Sequence, residues 1–280
     1  MPWRTALRRH WPEYLIEAGF LLIFVTVAGM VATLLESASS PLRNALPNAL
    51  SRHLLNGATM GLTTMALVYS PWGRRSGAHL NPAITLAFFR LRKVSRWDLL
   101  CYVAAQFIGG AAGIVLVRAT MAPAFAESAA PAAIATTLTN QIVVFALEFA
   151  FAVALMLLLL STTNHPRLRR WTGAFYGLLI AGCVTFASPL SAFGVNPART
   201  IAVALTSGTW NGALPALIAP ILGMLLAVDA YRLLTGRTQV MCAKLSHNVE
   251  GRCIFRCQHP AQARAIALEA FNRRLQQPGS

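Results

Sequence analysis

Two short stretches constrain this chain more than any other feature: Ser76-Gly77-Ala78-His79-Leu80-Asn81-Pro82-Ala83 and Phe193-Gly194-Val195-Asn196-Pro197-Ala198-Arg199. Each sets an Asn-Pro-Ala triplet at the head of a short apolar run. Asn is among the best helix N-caps, and Pro suits the first helical position because its missing N–H is not needed there. Each triplet therefore opens a helix. Neither helix is long enough to cross a bilayer of about 30 Å, which takes roughly 20 residues. The first run meets Arg90-Leu91-Arg92-Lys93 and the second meets Thr206-Ser207-Gly208. They read as two half-helices.

The surroundings of the triplets are those of a membrane. Of 280 residues, 56% are hydrophobic and only 12% charged, with a mean hydropathy of +0.54. A soluble domain carries charge on about a quarter of its residues. Six apolar spans are expected, at about 14–35, 54–69, 98–117, 138–160, 171–187 and 214–234. The first lacks a small-residue cleavage site and reads as a span, not a removable signal. The fold class is thus an all-α membrane protein: six transmembrane helices plus two re-entrant half-helices. The channel domain covers residues 1–234, and 235–280 form a basic tail.

The net charge of +15 is explained by where it sits. The N-terminus, the segment from Arg74 to Arg96 and the turn after the fourth span hold twelve Lys/Arg, whereas the loops after spans one and three hold only Arg43, Arg52 and Arg118. Basic residues are retained on the cytoplasmic side. The pattern predicts both termini in the cytoplasm of a multi-pass protein of the plasma (inner) membrane, with lipid as partner and no nucleic acid.

The halves 14–118 and 138–234 match. Glu17 begins span one and Glu148 sits in span four, each followed by an apolar run, and Asn81 and Asn196 follow them by 64 and 48 residues. Gln106-Phe107-Ile108-Gly109-Gly110 in span three has its counterpart in Ala219-Pro220-Ile221-Leu222-Gly223 in span six. Three spans per copy is an odd number, so the second copy enters from the opposite side as an inverted repeat. The half-helices then meet N-terminus to N-terminus near the midplane, each end carrying roughly +0.5 elementary charge. Non-helical backbone at that depth must be packed in protein or line a wet cavity. Carbonyls around Gly77, Ala78, His79 and Gly194, with the Asn81 and Asn196 amides, are expected to line a pore for neutral solutes. Cations and hydrated protons face an uncompensated positive barrier.

The paired motifs resemble those of the major intrinsic protein family, the aquaporins and glycerol facilitators, over about residues 14–234. The resemblance implies a passive channel for water or small uncharged solutes of the glycerol, urea, ammonia and peroxide class, a homotetramer, and no enzymatic activity. It implies a selectivity filter at Arg199, Phe193, Val184 and, on the second span, Met60 or Gly61. Water-selective members place His where this chain has Val184. Phe193 is similar to the aromatic of glycerol facilitators, but those carry Asp where this chain has Thr200. By the same resemblance, Glu17 and Glu148 accept hydrogen bonds from the signature-loop backbone. An unpaired carboxylate at that depth is expensive, so each needs a partner or a proton. The alternative reading is a secondary transporter, which also uses inverted repeats and broken helices but needs charge at the midplane. No acidic residue flanks either triplet.

The tail lies beyond the resemblance. It holds Cys242, His247, Cys253, Cys257 and His259. Reduced thiols and imidazoles are zinc ligands, although Cys253-x3-Cys257-x-His259 follows no standard zinc spacing. Zinc is one reading of this cluster, and free or lipid-modified thiols are the other. No other cofactor is expected.

Overall fold

The computed structural model describes residues 2–129, 138–191, 194–207, 210, 213–236, 240–247 and 253–258. Among them the only regular structure is helical. In the first half come α1 (Trp3–Glu36), α2 (Pro41–Ala45), α3 (Ala49–Tyr69), α4 (Pro71–Ser76), α5 (Pro82–Arg90) and α6 (Arg96–Ala129). The second half holds α7 (Leu138–Thr163), a 3₁₀ turn at Arg169–Trp171, α8 (Thr172–Ser191), α9 (Pro197–Ser207) and α10 (Ala213–Thr235). Five of the long helices, α1, α6, α7, α8 and α10, are long and apolar enough to cross a membrane. The remaining long helix, α3, has 21 residues but carries Ser51-Arg52-His53 near its start, which dilutes its hydropathy.

Several helices outrun the apolar runs in the sequence. The first starts at Trp3 instead of near Tyr14, because its Arg-rich opening turns are helical without being apolar. At about 1.5 Å per residue, a 34-residue helix is longer than the hydrocarbon layer. The sixth helix continues past Val117 and changes direction at Met121 (φ −127°, ψ 25°). The sequence has Pro123 two residues on, a residue with no backbone N–H to give to the helical ladder. It also suits the first turn of the new segment, which the Ala-rich sequence continues.

Packing follows the repeat. Within each half the first and last long helices pair, α1 with α6 and α7 with α10. The middle helices α3 and α8 pair across the halves. Each half-helix lies against the last helix of the other repeat, α9 on α6 and α5 on α10. The pairings inside each repeat depend on matched glycines. A Cβ on Gly109 would lie 2.0 Å from the Ala18 carbonyl oxygen, and one on Gly223 would lie 2.6 Å from that of Phe149. Ala18 and Phe149 directly follow Glu17 and Glu148, so close backbone approach sets the depth of both carboxylates.

One face of the bundle gathers the N-terminal turns, the α3–α4 corner, the start of α6, the 164–171 turn and the tail. It is tied by a Glu13–Arg75 ion pair at 3.1 Å, and by Asp98 accepting from Tyr14 at 2.7 Å and contacting His10 Nδ1 at 2.7 Å. Tyr69 adds a bond to the Arg170 carbonyl at 2.9 Å. At the other end Arg52 clasps Glu36 with two nitrogens, at 3.2 and 3.3 Å.

Overpacking the glycine contact tests this account. Gly109→Val is expected to destabilise the protein by about 1–3 kcal/mol or more, since backbone and not a flexible side chain must move. Gly19→Ala, in mid-helix where nothing lies within 4 Å, is expected to keep or raise stability, by up to about 1 kcal/mol, because alanine is the better helix former. Thermal unfolding midpoints in detergent compare the two.

Candidate functional site: two signature loops around a narrow cavity

The backbone between α4 and α5 is the most contorted in the described chain. Gly77 (φ 100°), Ala78 (φ 53°) and Leu80 (φ 52°) are left-handed, and Val195 (φ 39°) repeats the pattern before Asn196. For a β-branched residue such as Val this is a strained conformation that survives only where its surroundings impose it. Here the surroundings are two buried carboxylates. Glu17 Oε1 accepts from the His79 N–H (3.1 Å) and Ser76 Oγ (2.8 Å); its Oε2 accepts from the Leu80 N–H (2.9 Å) and Gln106 Nε2 (2.9 Å). Glu148 accepts from the Gly194 N–H at 2.8 Å and from the Val195 N–H. A carboxylate so supplied with donors is tolerated away from water. In return it holds the loop with its N–H groups turned inward.

Both loops end on asparagines that meet. Asn81 Nδ2 donates to the Val195 carbonyl at 2.7 Å, and Asn196 Nδ2 donates to the Leu80 carbonyl at 2.7 Å. Each amide oxygen caps its own helix, accepting from the Ala83 N–H (2.9 Å) or the Ala198 N–H (3.1 Å). Each Asn side chain is thus pinned at both ends, and the N-termini of α5 and α9 face each other.

Beside this junction lies a cavity of roughly 100 Å³, room for a short file of waters. One wall is apolar, with Phe24, Met60, Leu155, Ile180 and Val184; the other is polar, with Asn81, Gly194, Asn196 and Arg199. Arg199 sits in the first turn of α9, three residues after its cap. Asn56, Tyr176 and Ser188 also border the space.

Comparison with known proteins agrees with this geometry. The profile of the family described as Major intrinsic protein matches residues 5–231. The chain belongs to the major intrinsic protein family. It is 34% identical over 179 residues to Aquaporin NIP1-3 of Oryza sativa subsp. japonica, covering 63% of this chain and 60% of that one. Aquaporin NIP2-3 of Zea mays is 28% identical over 261 residues, covering 92% of this chain and 79% of the relative. The aquaglyceroporin from Plasmodium falciparum superimposes with a TM-score of 0.62 at 16% identity, over 82% of this chain and 98% of that one. At that identity the superposition speaks for the fold alone.

Within this member of the major intrinsic protein family, Asn81, Asn196, Gly194, Arg199, Val184 and Met60 gather around one cavity. Gly61 does not border it. Gly61 and Gly177 instead bring α3 and α8 together, a Cβ on Gly61 lying 2.6 Å from the Gly177 carbonyl oxygen. Gly77, Ala78 and His79 do not border the cavity either; Ala78 and His79 have no exposed surface at all. His79 Nδ1 lies 3.1 Å from Thr85 Oγ1, and its Nε2 lies 2.9 Å from the carbonyl oxygen of Ala243 in the tail. Phe193 and His259 fall outside the described residues. The sequence reading missed Gln106 and Thr85, which complete the Glu17 network at 2.9 and 3.2 Å. A polar residue at the centre of an apolar span was the available signal for Gln106.

Outside the spans, Lys93 anchors the tail through the Arg256 carbonyl (3.1 Å) and Gln258 Oε1 (3.0 Å), and burial lowers its pKa from the usual lysine value.

Glu17→Gln tests the carboxylate as a scaffold. The amide presents an NH₂ to groups that already donate, so at least one buried donor is left without a partner. The expected loss is about 1–3 kcal/mol, read as a lowered thermal midpoint. A midpoint within error of wild type contradicts the role.

Proposed function

We propose that this chain is a passive transmembrane channel for water and small uncharged solutes of the glycerol, urea, ammonia and peroxide class, excluding protons and ions. The reciprocal Asn81–Asn196 junction, where two half-helix N-termini meet beside a narrow half-polar cavity, carries the reading. A water or hydroxyl reaching the junction exchanges hydrogen bonds with the two amides and with loop carbonyls. A cation meets two positive helix ends and Arg199, while the Glu17 and Glu148 charges are engaged by backbone N–H groups behind the loops. The names of the rice and maize relatives support the same class of activity.

Selectivity follows from the wall opposite Arg199. Val184 offers a short apolar side chain where the family's water-selective members place His, which leaves width for an alkyl edge. With Met60 and Ile180 it forms a greasy side that suits the carbon backbone of a polyol while Arg199 takes its hydroxyls. Orientation follows from charge: the face holding Arg4, Arg8, Arg9, Arg74, Arg75, Arg167, Arg169 and Arg170 is cytoplasmic. The outward apolar residues Leu15, Leu62, Ile108, Val115, Leu178 and Phe186 face lipid or neighbouring subunits of a homotetramer. Residues 1–234 are the channel and 235–280 an appended cytoplasmic segment.

Stopped-flow swelling of vesicles containing the purified full chain, in reducing buffer with a metal chelator, decides the matter. Both water and glycerol fluxes above those of empty vesicles are expected, without saturation in solute. Water flux with every solute excluded overturns the solute assignment, and saturable flux favours a transporter. Val184→His is expected to lower the glycerol-to-water ratio on the order of tenfold, the scale set by a few atoms of steric fit.

A further inference from the structure

Beyond α10 the chain turns back across the basic face and covers the mouth beneath the first signature loop. Leu245 N–H donates to the Gly77 carbonyl at 3.1 Å, which occupies an acceptor that a pore would offer to solute. Ala243 supplies a carbonyl to His79; a carbonyl only accepts, so His79 Nε2 carries the proton. The Phe255 ring stacks on His79 at 5.4 Å between centroids (19° between planes) and meets Tyr102 edge-on at 6.0 Å. Its edge lies 2.9 Å from where a Cβ on Gly77 would be. Arg256 N–H donates to the Lys93 carbonyl at 3.0 Å, and Met241 N–H to Asn164 Oδ1 at 2.8 Å. The cavity described above ends at Asn81, and none of residues 76–80 borders it.

Neither helix nor strand holds residues 240–247 and 253–258 in this path. A side-chain cluster does. One donor atom from each of Cys242, His247, Cys253 and Cys257 lies within 4.8 Å of all the others. Cys242 Sγ and Cys253 Sγ are 3.5 Å apart, and His247 Nε2 is 3.1 Å from Cys257 Sγ. A tetrahedral zinc with Zn–S near 2.3 Å and Zn–N near 2.0–2.1 Å has donor–donor edges of roughly 3.4–3.8 Å. The cluster is already close to that size. Three thiols and an imidazole form a soft set suited to zinc, and no carboxylate of a calcium or magnesium site takes part. Lys244, buried next to the cluster, offsets the negative charge that three thiolates leave on a divalent ion.

We propose that Cys242, His247, Cys253 and Cys257 form a closed zinc site that shapes the tail into a stopper over this mouth, and that removal of the metal releases it. His259 is not required, since four ligands complete the coordination. The flux consequence rests on the channel reading above; the site and the stopper do not. Cys242 and Cys257 anchor the two described segments, Ala243 to Leu245 and Phe255 lie between the ligands, and so the same residues that touch His79 and Gly77 are those the metal would fix.

The test uses the full chain, purified under reducing conditions, loaded with Zn²⁺ and passed free of excess metal. About one zinc per chain is expected, and Co²⁺ in its place is expected to give the absorption of a tetrahedral thiolate site. The double variant Cys253→Ser/Cys257→Ser is expected to lose both and to conduct at the raised rate of the chelated wild type. Hydrogen exchange at residues 76–80 and 241–247 is expected to be slow with zinc and faster after chelation. In vesicles, chelation is expected to raise water flux several-fold in the wild type and leave the variant unchanged. Zinc content equal in wild type and variant, or a Cys242–Cys253 disulfide without metal, overturns the site. Zinc bound without any change in exchange overturns the stopper. Absence of flux from every form, with zinc and exchange behaving as stated, counts against the channel reading alone.

Discussion

A carboxylate buried among backbone N–H groups is what the rest of this architecture leans on. Hydrocarbon offers no hydrogen bonds, so backbone that is not helical must find every partner inside the protein. Leu80 and Val195 are in the strained left-handed region, at a cost of about 1–3 kcal/mol each. The Glu17 and Glu148 carboxylates compensate by taking the N–H groups of His79, Leu80, Gly194 and Val195. With the N–H groups spoken for on one side, the carbonyls of Leu80 and Val195 point the other way, where the opposing Asn amides reach them. The strain, the carboxylate and the junction are one device used twice.

The helices serve that device by setting its depth. Gly109 and Gly223 admit the carbonyls of Ala18 and Phe149, and each fixes the residue preceding them, a glutamate, at the level of its loop. Because each half-helix rests on the last helix of the other repeat, neither loop can be displaced without moving the opposite half. The cavity is therefore set in a rigid frame, and Met60 and Val184 border it with apolar side chains.

Much of this was legible in the sequence because it is written in local chemistry. Asn-Pro-Ala ahead of an apolar run favours the start of a helix, and a lone glutamate in an apolar run needs a partner or a proton. Those two rules placed Asn81, Asn196, Glu17 and Glu148. Spacing alone left Met60 and Gly61 as alternatives, since adjacent helical residues point about 100° apart and a one-residue shift in the preceding loop exchanges cavity for helix contact. Helix ends were read too short because apolar periodicity stops at the membrane surface while helical hydrogen bonding does not, as in the Arg-rich start of α1. The tail was legible only as composition. Its ligand spacing follows no common motif, and Cys242 lies near Cys253 and Cys257 only in a tail folded back against Asn164, His79 and Lys93, residues distant in the chain.

The scaffold is nearly symmetric, yet its two mouths are not. The second loop borders an open cavity through Gly194 and Val195, whereas the corresponding first-loop residues are sealed beneath Ala243, Leu245 and Phe255. An irregular segment gains about 1 kcal/mol from each hydrogen bond it makes, and ordering each residue costs about 1–2 kcal/mol. The bonds to Gly77, His79, Lys93 and Asn164 and one stacked ring offset only part of that cost. A structural zinc contributes on the order of 10 kcal/mol to whatever fold presents its ligands. On the proposed zinc site the cover over the first mouth depends on the chemical state of the tail, while the junction of Asn81 and Asn196 is bonded without any tail residue.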